Sequence, residues 1–198
     1  MNVMDSESAD GDPSYAYKSS LLGAPFEFRL ATDALEWRKG TYTGRTPYDR
    51  IRRIRLSFRP MTMQNYRFLT EVWTADGPKL QIASSSWKSV FEHERFDAAY
   101  RAFVSELTRR SGAAGGQTLF DTGSPPLLYW PGAIVFIGAS LALVALIIRA
   151  LQEAAWSGAA FIAAFLALFA WQAGVFFHRN RPGKFDPAAV PPQVLPRA

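Results

Sequence analysis

Two long uncharged segments constrain the fold of this chain more than any other feature of its sequence. Residues 127–148 and 154–177 contain 22 and 24 residues without a charged side chain, and five residues separate them. About 20 apolar residues of α-helix cross the hydrocarbon core of a bilayer. Since lipid offers no hydrogen-bond partner to open backbone, a segment that crosses it must be helical. The sequence therefore predicts a transmembrane hairpin over residues 127–178, with helices at about 127–149 and 154–178.

Basic residues on both sides of this hairpin predict its orientation. Arg179, Arg181 and Lys184 follow the second segment, and Arg109 and Arg110 precede the first. Short flanks rich in Lys and Arg stay on the cytoplasmic side of a membrane. We therefore expect a two-pass protein that is integral to the cytoplasmic (inner) membrane, with both termini in the cytoplasm.

The rest of the chain divides into segments of different composition. Residues 1–20 are acidic and serine-rich, which predicts a disordered tail. Residues 21–110 carry strand-like and then helix-like patterns, which predict one soluble domain. Residues 111–126 are rich in Gly and Pro and are expected to be a linker. Residues 179–198 are proline-rich and are expected to form an extended cytoplasmic tail.

The clearest strand of the predicted domain lies at residues 51–59, where apolar and polar side chains alternate. A period of two residues is typical of a half-buried strand. The apolar side chains that we expect on its buried face are Ile54, Leu56 and Phe58. The side chains that we expect on its other face are Arg53, Arg55, Ser57 and Arg59.

The end of the domain changes to a helical period. One apolar stripe, with spacings of three and four residues, consists of Phe96, Tyr100, Phe103 and Leu107. Ser89 and Glu92 form the pattern of a capping box, so we expect the helix to begin there, with His93 on its exposed start. Gly112 is expected to cap its C-terminus. The fold class is therefore α+β: antiparallel strands closed by one helix, followed by a two-helix transmembrane hairpin.

This order of elements is that of the pleckstrin-homology-like (PH-like) fold, and several segments fit it. Ala34–Gly40 and Pro47–Ile51 resemble the early strands of small bacterial PH-like membrane proteins. Ser84–Trp87, which leads into a helix rich in Phe and Tyr, resembles the closing part of that fold. The resemblance covers roughly residues 20–110, although in several bacterial relatives the membrane helices precede the domain. It implies a cytosolic binding or scaffolding module without catalysis, and it does not imply phosphoinositide binding.

The strongest local signal for function is basic. Seven arginines and one aspartate between residues 45 and 67 give a net charge of +6, against +5 for the whole chain. Arginines projecting from one strand face can bind phosphate or carboxylate groups. The side chains that we expect to bind anionic lipid headgroups or an acidic protein partner are Arg50, Arg52, Arg53, Arg55 and Arg59. The alternative is a solvated strand face whose arginines pair with neighbouring acids. Nucleic acid is not expected, because the aromatic residues of this strand point inward.

Other patterns do not indicate catalysis or a cofactor. The chain has no cysteine, and its two histidines, His93 and His178, are far apart and lack metal-ligand partners at helical spacing. Residues 121–124 match the Asp-Thr-Gly-Ser string of aspartic proteases, but that chemistry needs two carboxylates from two lobes or protomers. We therefore expect a protein that is not an enzyme, with no metal and no cofactor.

Small residues line one ridge of each predicted membrane helix. These residues are Gly138 and Ala142 on the first helix and Ala159, Ala163, Ala167, Ala170 and Gly174 on the second. Small residues at this spacing allow close helix packing. The ridge either packs within the hairpin or docks another membrane protein.

Two functions follow from these patterns. The first is a non-catalytic, membrane-anchored binding or assembly module that presents a basic PH-like domain at the bilayer surface. The alternative is an accessory subunit of a larger membrane complex, which docks through the small-residue face of its hairpin.

Overall fold

The chain folds into two compact units of different character. The computed structural model describes residues 11–20, 23–60, 66–87 and 93–196. The β-unit comprises residues 1–123 and 183–198, and the helical unit comprises Ser124–Pro182. The fold class is α+β, as predicted: β-sheets and one helix in the β-unit, and a helical pair in the other.

Two sheets form the frame of the β-unit. The first is antiparallel and contains β1 (Ser14–Tyr17), β2 (Phe26–Leu30), β3 (Ala34–Lys39) and β4 (Tyr42–Pro47) in that order. The antiparallel part of the second contains β5 (Ile51–Pro60), β6 (Tyr66–Thr74) and β7 (Leu80–Ala83). A short antiparallel pair follows, made of β8 (Ser85–Trp87) and β9 (His93–Arg95).

Helix α1 (Asp97–Ala113) closes the core between these strands. The predicted apolar stripe is confirmed, because its four members are all buried: Phe96, Tyr100, Phe103 and Leu107. Tyr100 shares a 2.7 Å hydrogen bond with the hydroxyl of Thr70 on β6. This contact satisfies both hydroxyls inside the core and fixes the helix on the second sheet.

The predicted start of α1 differs from the observed one. The capping box Ser89–Glu92 lies outside the described residues, and the helix begins at Asp97. Residues 93–95 pair with β8 as strand β9, so His93 belongs to a strand and the prediction that placed it on the helix is wrong. Gly112 lies inside the helix, and Ala114 occupies the C-cap.

The prediction of a disordered tail over residues 1–20 is wrong for the part that the structure describes. Strand β1 pairs with β2 at residues 14–17, because Tyr15 and Tyr17 alternate with small residues and bury their rings. Their hydroxyls donate 2.6 Å hydrogen bonds to the carbonyls of Ala83 and Gln81. The acidic composition of the segment masked this short aromatic alternation.

Most of the predicted linker and most of the predicted C-terminal tail belong to the β-unit. Strand β10 (Leu119–Thr122) pairs in parallel with β5, and β11 (Gly183–Lys184) pairs antiparallel with β10. Phe185 packs on Phe120 with 5.6 Å between ring centroids, and Val194 and Leu195 are buried in the core. Within residues 111–126 and 179–196, strand pairing and apolar contacts hold segments whose Gly and Pro content does not indicate them.

The helical unit consists of α2 (Pro126–Gln152) and α3 (Trp156–Arg179), whose bounds agree with the predicted ones to within three residues. Both are long and apolar enough to cross a membrane, and their apolar windows are not buried by the protein. The chain therefore has the features of a two-pass membrane protein. Phe136 and Phe169 meet across the hairpin with 5.1 Å between ring centroids.

Candidate functional site: a basic face on the β-unit

Strand β5 carries its arginines on one face because apolar and polar residues alternate along it. Ile54, Leu56 and Phe58 are buried in the core, as predicted. Each outward-facing residue of β5 lies directly opposite a residue of β6, and the two side chains of such a pair lie on the same face of the sheet. We call this outer face the basic face, and its pairs are Arg53–Trp73, Arg55–Glu71, Ser57–Leu69 and Arg59–Arg67.

One half of the basic face is neutralised within the protein. The Nε of Arg53 lies 3.2 Å from Oδ2 of Asp121, and Nη2 of Arg55 lies 3.7 Å from the same oxygen. Both guanidinium groups also lie over the ring of Trp73, at 5.9 Å and 5.3 Å from its centroid. The side chain of Arg55 is only 11% exposed. This half fits the alternative of arginines paired with neighbouring acids.

Glu71 completes this half of the face. Its carboxylate is buried and pairs with the ammonium of Lys79, which in turn lies 4.6 Å from the centroid of the Trp73 ring. The sequence did not indicate Trp73, Lys79 or Asp121 as partners of the arginines, because strand register brings them together from distant parts of the chain.

Arg50 and Arg52 do not belong to the same surface. Arg50 precedes β5 and lies 3.6 Å from the carboxylate of Asp76, and both side chains are exposed. Arg52 is exposed at the point where the register of β5 and β6 shifts between Ile51 and Arg53. Such a bulge leaves one residue out of the pairing. The five predicted arginines are therefore not one cluster.

The other half of the basic face holds arginines without an acid. Arg59 and Arg67 lie directly opposite each other on β5 and β6, and both are half-buried. In the described part of the chain neither forms an ion pair, and the Nε of each is buried without a hydrogen-bond partner. The neighbouring Ser57 is 1% exposed, and its Oγ is also without a partner there. We call Ser57, Arg59 and Arg67 the arginine-pair site.

This site concentrates positive charge. Like charges placed directly opposite each other destabilise an antiparallel pair. The field of Arg67 also acts on the interior: burial raises the pKa of Tyr17 to about 12, and the charge of Arg67 opposes that rise. Sequence reasoning found Arg59 but not its partnership with Arg67, since that depends on the register of the hairpin between them.

Metal ligands and the protease-like string give no second site. Among the described residues, no group of three His, Cys, Asp or Glu side chains could hold a metal ion. Asp121, the acid of the protease-like string, is occupied by Arg53 and Arg55.

The small-residue ridge of the hairpin is mostly turned away from the partner helix. Ala159 is buried, but Ala163, Ala167 and Gly174 on α3 are exposed. On α2, Gly138 and Ala142 are exposed as well. A Cβ added at Gly138 or Gly174 would meet nothing within 4 Å. Of the two alternatives, packing of this ridge within the hairpin therefore fits Ala159 and does not fit the other predicted positions.

The seam between the helices consists mostly of larger residues instead. The partly buried residues of α2 include Tyr129, Ala133, Phe136, Ser140, Leu143 and Ile147. Those of α3 include Ile162, Leu166, Phe169, Ala173 and Phe176. Spacings of three and four residues are those of a coiled-coil-like seam, which bulky side chains fill.

Comparison with family models, curated proteins and solved structures gives no match to this chain. The PH-like resemblance therefore stays a prediction. The basic face and the exposed apolar helices are the features of the chain that bear on its function.

Proposed function

We propose that the chain is a non-catalytic, membrane-anchored binding module that presents an anion-binding face at the surface of the bilayer. The observation that carries this proposal is the contrast between the arginine-pair site and the other arginines of the β-unit. Most of those others face an acid: Arg29, Arg38, Arg45, Arg50, Arg53, Arg55, Arg109 and Arg110. Arg59 and Arg67 have no acidic partner among the described residues, so their charge is available for an external anion.

Exposed apolar surface supports the membrane anchor. Leu127 is 88% exposed and Trp171 is 70% exposed, and most of the other large apolar side chains of their helices are also exposed. Apolar surface on this scale is rare on soluble proteins and indicates a lipid or protein environment. A bilayer is the environment that fits two helices of this length.

The pairing of β10 with β11 supports the proposed topology. Thr122 lies opposite Gly183, so the chain enters and leaves the helical unit at adjacent positions of one sheet. A hairpin whose two ends are joined in this way has both ends on the same side of a membrane. With the basic flanks, this favours both termini in the cytoplasm and insertion in the inner membrane.

The order of β1 to β7 and α1 supports a PH-like architecture. Four antiparallel strands and three further strands precede a closing helix, as the resemblance implies, with the short pair β8 and β9 before the helix. Strands β8 to β11 would be additions to it. The implied role, binding or scaffolding, agrees with the proposed module.

The test uses the full chain in a neutral detergent, with short-chain lipids added and the bound lipids counted by native mass spectrometry. We expect anionic lipids to be retained in preference to zwitterionic ones, and retention to fall as ionic strength rises. The double variant Arg59→Gln/Arg67→Gln should lose about 2 kcal/mol of this attraction, at about 1 kcal/mol per basic residue. Equal retention of anionic and zwitterionic lipids by the wild type would refute the proposal.

A charge-matched control is available on the same chain. Arg50→Gln/Arg52→Gln removes the same two charges from outside the basic face. It should reduce retention much less, because it leaves the arginine-pair site intact.

A second function, accessory subunit of a membrane complex, is favoured by the outward direction of the ridge on α3. Ala163 and Ala167 are exposed on α3. Small residues at these positions would allow another helix to approach closely. Replacement of both by Leu should remove a partner that co-purifies from native membranes. Ala145→Leu, at an exposed position of α2, is the control. Unchanged co-purification by the Ala163/Ala167 variant would exclude this function.

A further inference from the structure

The arginine-pair site is an unusual concentration of unsatisfied polar groups. Across the described ranges, six buried side-chain polar atoms lack a hydrogen-bond partner, and three of them are Ser57 Oγ, Arg59 Nε and Arg67 Nε. Buried polar groups are almost always paired, and leaving one unpaired is costly. Three such atoms on neighbouring side chains indicate donors that an external ligand could satisfy.

These donors can reach one another. Arg59 and Arg67 are direct cross-strand neighbours, whose Cβ atoms lie about 5 Å apart in such pairs. Ser57 is two residues from Arg59 on the same face of β5, which is about 7 Å along a strand. A guanidinium carries five N–H donors in a planar fork, and a hydroxyl adds one more. The two guanidinium groups can therefore donate to a single tetrahedral oxyanion, and the buried Ser57 hydroxyl can join them once the side chains that cover it move aside.

Charge selects the class of anion. Among the described residues, the two acids beside the arginines of this face are both occupied, Glu71 by Lys79 and Asp121 by Arg53 and Arg55. Within that part of the chain, the two guanidinium groups of the arginine-pair site therefore have no compensating acid. A phosphate monoester carries about −1.5 to −2 at pH 7 and can neutralise both. A carboxylate or a phosphodiester carries one negative charge and would leave one arginine uncompensated.

We infer that Ser57, Arg59 and Arg67 form a binding site for a phosphate dianion. The inference deepens the proposed function, on which it depends, by naming the ligand chemistry of the same face. Two sources share this chemistry: a lipid whose headgroup is a phosphate monoester, and free phosphate. The guanidinium forks bind phosphate oxygens, and the Ser57 hydroxyl donates to a further oxygen once the side chains that cover it move aside.

The experiment measures the thermal unfolding midpoint of the full chain in neutral detergent. Inorganic phosphate should raise the midpoint at neutral pH, whereas chloride at matched ionic strength should not, because a ligand that binds only the folded state stabilises it. Short-chain phosphatidic acid, a monoester, should raise it more than short-chain phosphatidylglycerol, a diester. If inorganic phosphate acts and phosphatidic acid does not, free phosphate is the source.

Two variants and one control assign the effect to residues. Arg67→Met keeps the apolar stem and removes one charge, so it should abolish the phosphate response without lowering the midpoint in the absence of phosphate. Arg59→Gln should abolish the response independently. Arg52→Met removes a charge at the bulge of β5 and should respond like the wild type.

Varying the pH tests whether the bound anion carries two negative charges. The second pKa of a phosphate monoester is about 6, so stabilisation by short-chain phosphatidic acid should weaken as the pH falls below 6, while that by sulfate, a dianion throughout, should not. An equal phosphate response in the wild type and in Arg67→Met, or no response in the wild type, would overturn the inference.

The outcomes also separate this inference from the proposed function. Salt-sensitive retention of anionic lipids with no phosphate response would leave the binding module standing and remove the phosphate site. A phosphate response that Arg67→Met abolishes, without preference for anionic lipids, would keep the site and remove the role at the bilayer surface.

Discussion

Replacement of Gly112 by Ala tests whether the segment after the hairpin is part of the β-unit. Gly112 lies in the last turn of α1, and a Cβ at this position would lie 2.6 Å from Cγ and 2.7 Å from Cβ of Pro187. In an exposed helix, Gly→Ala is stabilising by about 1 kcal/mol. Overpacking of a filled site costs about 1–3 kcal/mol. The structure therefore predicts that Gly112→Ala destabilises the protein, by up to about 2 kcal/mol.

The assay is thermal unfolding of the full chain in detergent, together with limited proteolysis. A change of 1 kcal/mol shifts the midpoint of a chain of this size by about 2–4 °C. Cleavage should also appear after Pro182 if the clash displaces the tail from α1. The second variant Pro187→Gly removes both clashing atoms, so the double variant should regain the stability of the Pro187→Gly parent or exceed it.

The opposite sign would refute this reasoning. If residues 179–198 were a free tail, Gly112→Ala would raise the midpoint by the ordinary helix propensity of alanine. A stabilised Gly112→Ala variant with an unchanged proteolytic pattern would mean that Pro187 does not pack on α1.

Three further predictions concern the β-unit. Phe103→Ala should lower the free energy of unfolding by about 3–5 kcal/mol, measured by denaturant titration, because its ring is buried between α1 and the strands. Hydrogen bonds from Arg109, and further from Arg110, hold the pKa of Glu106 near 2, below its usual 4.5. The stability that this depressed pKa provides is present above pH 4.5 and is lost as the pH falls towards 2. In unfolding measured as a function of pH, Glu106→Gln should remove this pH dependence, which amounts to about 0.5–1 kcal/mol. Arg67→Met should raise the free energy of unfolding without ligand by about 1 kcal/mol, by removing a like-charge contact and a buried donor; a loss of similar size would argue that Arg67 has a protein partner.

Patterns that are local in sequence were sufficient for much of the fold. Uninterrupted apolar length was enough to place α2 and α3, and the alternation of residues 51–59 was enough to place β5 and its two faces. The stripe that ends in Phe103 and Leu107 identified the buried side of α1, although not its first residue. These features depend only on the period with which apolar side chains recur.

Long-range pairing could not be predicted in the same way. Strand β10 has four residues and pairs in parallel with β5, across more than sixty residues of chain. Its partner β11 has two residues. Strands this short carry no readable period, and nearby Gly and Pro predicted a linker. Because Asp121 lies on β10, its ion pairs with Arg53 and Arg55 could not be predicted from the sequence either.

The candidate site was predicted only in part. The face of Arg59 followed from alternation, but its pairing with Arg67 depends on which residues of β5 and β6 stand opposite each other. A turn of unknown geometry leaves that register open, and a shift of one residue would put the two arginines on different faces.

The insertion of the helical unit between two parts of the β-unit determines the order of events during synthesis. Strands β1 to β10 leave the ribosome before α2 and α3, whereas β11 and the buried Val194 and Leu195 follow them. Until the hairpin has been synthesised and inserted, the nascent β-unit therefore lacks the strand that pairs with β10 and two residues of its core. An open strand edge is prone to wrong pairing. Slow delivery of the hairpin would prolong this exposed state, so the yield of folded protein should depend on the rate of membrane insertion.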